Sequence, residues 1–113
     1  MGRSCSSFIK SNMKKIERDI EQLTDVRELN RIGQKYAGSG NYTVAMKAWL
    51  RAAELGDRQC RPSITAIYFL GCESIGNEDH CKAAELIRQW REEGDEEVEE
   101  AIELQIKLRA VLI

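Results

Sequence analysis

Four cysteines, at positions 5, 60, 72 and 81, and the one histidine, His80, are the residue types with which this 113-residue chain would bind a metal or form a covalent intermediate. Structural zinc sites bring their ligands in close pairs such as Cys-x-x-Cys. Here the gaps between Cys60, Cys72, His80 and Cys81 are irregular, and His80 and Cys81 are adjacent, so on a helix their side chains diverge. The same adjacency defeats a Cys–His dyad, because neighbouring helical positions do not face each other. Gly38-Ser39-Gly40 lacks the preceding strand and the following lysine of a phosphate loop. Basic residues are not interleaved with aromatics as in a nucleic-acid stacking surface. Glu92 to Glu103 holds eight acids in twelve residues. Such a run ordinarily forms a solvated face, and otherwise would mimic nucleic acid or attract a basic partner. The residue types therefore predict no catalysis, no metal and no cofactor.

The composition sets the frame in which any other function must sit. A length of 113 residues argues for one domain with a modest core. Hydrophobic residues make up 42% and charged residues 32%, ordinary values for a soluble globular protein. A single proline and few β-branched residues favour helix over sheet. No apolar run approaches the ~20 residues of a membrane helix, and the N-terminus lacks the apolar core of a signal peptide. A secreted scaffold of this size would be denser in cysteine. Reduced thiols and a cytoplasmic location are the expectation. Charge is polarised along the chain. Residues 1–61 hold 12 Lys/Arg against 7 Asp/Glu, a net of +5, and residues 62–113 hold 5 against 12, a net of −7. That is unlike the uniformly basic surface of a nucleic-acid binder, and it would steer head-to-tail association or an oppositely charged partner.

Hydrophobic periodicity predicts six helices. Residues 1–10 are small and polar and are expected to fray, leaving 11–113 as the domain; Met13-Lys14-Lys15 would make a native start. Met13, Ile16, Ile20 and Leu23 recur at helical spacing and predict a first helix over 11–23. Asp25 and Glu28 stand at capping-box spacing before a helix with Leu29, Ile32 and Tyr36 on one face, ended by Gly38-Ser39-Gly40. Asn41 would cap a helix to Leu55, with Val44, Ala45, Ala48, Trp49, Ala52 and Ala53 as its apolar stripe. Pro62 suits the first turn of a fourth helix, expected to reach about Ile75 and to stop at Gly76-Asn77. Residues 79–93 predict a fifth. Gly94 ends it and Asp95 opens the last helix, to the C-terminus. Its alternation over Ile102–Arg109 also fits a strand, but the Glu, Leu and Lys content and the acid-rich start favour helix. Short loops force neighbouring helices to lie antiparallel.

The two halves align at an offset of 38. Ile32-Gly33 falls on Leu70-Gly71, Ala45 on Ala83, Trp49 on Ile87, and Gly56-Asp57 on Gly94-Asp95. A small residue in each of two antiparallel helices lets them approach closely, and the bulky residue a turn later fills the space beside them. Leu29, Ile32-Gly33, Tyr36, Ala45, Trp49 and Ala52 resemble a tetratricopeptide repeat, and Gly38-Ser39-Gly40…Ala48-Trp49…Ala52-Ala53…Gly56 is similar to its Sel-like variety. The second repeat departs from the pattern, with Ser74 in place of Tyr36 and Trp90 in place of Ala52. The fold class expected is all-α: helical hairpins stacked as a short α-solenoid, with repeats over about 26–57 and 62–95 and flanking helices over 11–23 and 95–113.

The resemblance implies a scaffold that recognises a protein or peptide on the concave side, lined by the first helix of each repeat. The positions there not spent on the signature are Arg27, Asn30, Arg31 and Gln34, and, 38 later, Thr65, Tyr68, Phe69 and Cys72. The first set offers donors to carboxylates or carbonyls and the second offers aromatic area; otherwise the first is a solvated face and the second packs on a flanking helix. The last helix is the other candidate. Val98, Ile102, Ile106 and Ile113 line one side of it, and Leu104, Leu108, Val111 and Leu112 the opposite side. A helix apolar all round needs cover on both sides. The repeats would take one side, and a second copy of the chain, a partner or the folded-back first helix would take the other. The leading expectation is an adaptor, inhibitor or regulator that acts by protein–protein contact, without nucleic acid or membrane. The alternative is a self-assembling structural module. Two repeats are fewer than the roughly three such arrays need, so flanking helices or a second subunit must complete the core.

Overall fold

A computed structural model describes residues 14–71 and 75–112, the last two by backbone alone, and among the described residues the regular structure is entirely helical. Expectations that fall on residues 1–13, on Cys72 and Ser74, on the side chains of Val111 and Leu112, and on Ile113 lie outside the described residues. The order is α1 (residues 14–22), α2 (Val26–Gly38), α3 (Tyr42–Glu54), α4 (Arg61–Leu70), α5 (Asn77–Glu92) and α6 (Glu96–Leu112). The last segment is a helix, as its composition predicts.

The boundaries follow local chemistry. Asp25 accepts from the Arg27 amide at 3.0 Å and opens α2, but Glu28 does not complete the capping box; it pairs with Arg31 instead. Asn41 Oδ1 accepts from the Val44 amide at 3.3 Å and opens α3. Gly56 and Gly94, 38 apart, take φ +95° and +80° and end α3 and α5 identically. The next amide folds back in each case, Asp57 N to Ala52 O at 3.0 Å and Asp95 N to Trp90 O at 3.1 Å. One boundary differs from the expectation. α4 stops at Leu70, not near Ile75, because Gly71 adopts the left-handed conformation (φ +72°) and caps it. Ile75 is buried outside any helix, and α5 begins at Asn77 with Glu78 and Asp79 in its first turn, where acids suit the helix N-terminus.

α3 is the centre of the core. Val44, Ala45, Met46, Ala48, Trp49, Leu50 and Ala52 are all buried, and α2, α4 and α5 all pack on it. Its alanines let the neighbouring backbones come close. The tightest approach is Gly33 of α2 under the Trp49 indole. A Cβ built at Gly33 would stand 2.3 Å from Trp49 Nε1. α1 lies over α3. Ile20 is buried in a hollow it shares with Leu50, and Arg51 Nε donates to the Leu23 carbonyl at 3.1 Å.

The 38-residue offset is visible in the packing. Ala45 and Ala83 are fully buried, and Trp49 and Ile87 are equally so at the next turn. The correspondence runs on into α6: Cys60 and Ile64 are buried on α4, and Val98 and Ile102, 38 later, are buried on α6. α6 packs chiefly along α4 and runs parallel to it. Arg61 meets Asp95 at their starts, Ala66 faces Ala101 midway, and Arg109 donates to the Phe69 carbonyl near their ends. The offset fails at one pair. Gly33 is a packing glycine, whereas its counterpart Gly71 is an exposed cap with nothing near its would-be Cβ.

Gly33→Ala and Gly38→Ala separate helix propensity from this close approach. Alanine is favoured over glycine in a helix by about 1 kcal/mol. At Gly38, in the last turn of α2, a Cβ meets nothing within 4 Å. Gly38→Ala should therefore raise the denaturant midpoint slightly. Gly33→Ala should lower stability by about 1–3 kcal/mol, because Trp49 must move. Equal gains from both would show that the Gly33–Trp49 seat is not tight.

Candidate functional site

The thiols and the histidine do not assemble. Cys60 is buried, with its Sγ–H on the Trp49 carbonyl at 3.4 Å. Burial first, and the Asp57 charge second, push its pKa up to about 12. It therefore stays protonated at neutral pH. His80 stacks on Tyr68, with ring centroids 4.6 Å apart, while Cys81 is exposed beside Leu50 and Leu86. Among the described residues no three His, Cys, Asp or Glu side chains gather where they would hold a metal ion. No helix there is long and apolar enough to cross a membrane.

The structure divides the seven residues assigned to the concave face. Arg27, Arg31 and Gln34 are exposed on α2, with Arg31 held by the Glu28 carboxylate. Asn30 is half-buried and committed elsewhere: its Nδ2 donates to Val26 O at 3.0 Å and to Asp57 Oδ2 at 2.9 Å. Thr65 is fully buried, its hydroxyl donating to the Arg61 carbonyl at 2.8 Å, and it has no surface to offer. The error has one source. Offset alone places residues on a face, but α4 is covered by α6 as well as α5, so the face that is open on α2 is partly closed on α4. Tyr68 and Phe69 meet edge to face at 5.3 Å and are half-buried. They line an open hollow of about 540 Å³ with Ile87, Arg88, Arg91 and Glu99. The cations in that hollow are already neutralised. Arg88 pairs with Glu85 and Glu92, and Arg91 with Glu99 at 2.8 Å.

Two polar clusters went unread in the sequence. Arg61 Nη1 reaches Asp95 at 2.9 Å and Glu93 at 3.1 Å, and its guanidinium lies 5.0 Å from the Trp90 ring centroid. This explains the tryptophan in place of Ala52: in the second hairpin a cation–π contact occupies ground that the first fills with a small residue. Lys47 reaches Asp79 at 2.8 Å and ties α3 to α5. Neither pair has a sequence signal, because the partners are 34 and 32 residues apart.

The last helix presents the remaining candidates. Leu104 and Leu108 are 54% and 49% exposed, as expected of the uncovered side. Ile106 is 60% exposed, although it continues the buried stripe of Val98 and Ile102. Cover from the repeats therefore ends at Ile102, and beyond it both sides of α6 meet solvent. Leu70, at the end of α4, is also 54% exposed. Arg109 and the Phe69 carbonyl join the residues next to Leu108 and Leu70, so the two leucines share one end of the α4–α6 pair. An apolar group of this kind marks an interaction surface more often than an isolated exposed leucine does. Comparison of the chain with protein-family models, with curated proteins and with solved structures finds no match.

Asp57 and Asp95 close the two hairpins, and their ionisation is tied to the fold. Burial pushes the Asp57 carboxyl up, but hydrogen bonds from Asn30 and Cys60 outweigh it and hold it below the usual aspartate range. Burial acts likewise on Asp95, and Arg61 and the Val98 and Glu97 amides outweigh it. Depressed folded values mean that unfolding in acid takes up protons. The stability they add is whole above the unfolded value, roughly pH 4, and is lost as pH falls through the lower folded values. Denaturant midpoints should therefore hold between neutral and mildly acidic pH and drop below roughly pH 4. Asp57→Asn/Asp95→Asn should be less stable at neutral pH and lose less in acid. A parallel acid loss in this variant would assign the effect to other groups.

Proposed function

We propose that the protein is a helical-repeat interaction module without catalytic activity, and that it offers α6 to another protein. One observation carries the reading. On α6, Leu104, Ile106 and Leu108 are 54%, 60% and 49% exposed, uncovered by any of the described residues. A partner helix with apolar residues three and four apart suits that surface. The resemblance to tetratricopeptide repeats supports recognition of protein over small molecule, and the high pKa and burial of Cys60 argue against thiol chemistry. Free Cys60 and Cys81 suit a reducing compartment such as the cytoplasm.

The exposed face of α2 competes as the binding surface and is separated from α6 by substitution. With the whole chain as bait, Leu104→Glu/Leu108→Glu should abolish capture of the partner while far-ultraviolet circular dichroism stays native. Arg27→Glu/Arg31→Glu should capture as the native chain does. The reverse pattern would move the site to α2. Capture unaffected by either pair would refute both surfaces.

A further inference from the structure

The exposed end of α6 carries charges as well as leucines, and their order along the helix selects an occupant. Its first half presents Glu96, Glu97, Glu100 and Glu103 to solvent, and its second half presents Lys107 and Arg109. Among the described residues Glu103 and Lys107 have no charged partner, although they flank Leu104, Ile106 and Leu108. The helix is therefore self-complementary in one direction only. A parallel copy would set acid against acid and base against base. An antiparallel copy would set the acidic half of each against the basic half of the other, with the helix dipoles opposed in the favourable sense.

We infer that a second copy of this chain docks on α6, antiparallel, with Leu104 and Leu108 forming the apolar seam and Glu103 of each copy meeting Lys107 of the other. The inference rests on the reading of α6 as the interaction surface and names its partner. Such a pairing is two-fold, with the same patch used on both sides, so it closes as a dimer and does not propagate into a filament.

Sedimentation equilibrium of the full chain over a micromolar concentration series tests this. The native chain should dimerise, and Leu104→Glu/Leu108→Glu should be monomeric with native helicity. Lys107→Glu makes this stretch wholly acidic, and Glu103→Lys makes it basic, so each variant alone should dimerise at least roughly tenfold more weakly. Mixed together, the two restore opposite charges at both contacts and should form a mixed dimer at least as tightly as the native chain. A native chain that is monomeric throughout the series overturns the inference. So does a dimer indifferent to Leu104→Glu/Leu108→Glu, and so does a mixture that fails to restore association. A monomeric native chain that still captures another protein through Leu104 and Leu108 leaves α6 as the interaction surface and removes only the second copy as its occupant.

Discussion

The arrangement depends on how closely α2 can approach α3. A glycine at position 33 lets the Trp49 indole lie against the α2 backbone, at a distance where even a methyl group would collide. With α2 seated there, the small faces of α3 at Ala45, Ala48 and Ala52 are free to receive other helices. α3 then becomes a pillar buried on several sides, and α1, α4 and α5 take their places from it. A domain of this size buries too little surface to tolerate a loose centre. Gaps at close-packed contacts forfeit dispersion as well as apolar transfer.

Propagation from the first hairpin to the next uses polar geometry at the turns. Asp57 and Asp95 follow matching left-handed glycines, and each accepts from the amide three residues on, at Cys60 and at Val98. These bonds aim the following helix. The remaining carboxylate capacity is then satisfied from the first helix of the same unit, by neutral Asn30 in one case and by charged Arg61 in the other. The substitution is physically consistent with its surroundings. Asp95 stands next to Glu93 and ahead of an acidic helix, where a neutral amide would leave carboxylates crowded. Arg61 counters both and lays its guanidinium on Trp90.

What could be read in the sequence is what depends on local spacing. Asp25, Asn41, Asp95 and the terminating glycines carry their helix boundaries in their own chemistry, and the all-α class followed from periodicity. The pairing of Ala45 with Ala83 and of Trp49 with Ile87 was legible because both members of each pair meet the same need. Gly71 was not, since a glycine under an indole and a glycine in a left-handed cap look alike in one dimension. The same ambiguity carried α4 too far, toward Ile75. Thr65 and Asn30 were assigned to a binding face by offset, but their partners, Arg61 O and Asp57, lie in turns whose path only the fold determines. Ile106 shows the limit of periodicity itself. It continues the stripe of Val98 and Ile102, yet it lies past the point where α4 ends, and it is 60% exposed among the described residues.

That last mismatch follows from arithmetic in the fold. α4 spans Arg61–Leu70 and α6 spans Glu96–Leu112, and the two start level through Arg61 and Asp95. The longer helix must outrun the shorter by several residues, and those residues run from Ile106 to the C-terminal turn. Early termination of α4 at Gly71 therefore creates the overhang on α6. Had α4 continued to Ile75, Ile106 would have had a neighbour and the last helix would be covered along one side. A left-handed glycine at the end of α4 thus leaves on α6 an apolar and charge-ordered surface that none of the described residues covers. The constraint that shortens the second unit and the surface that invites association are one feature of the sequence.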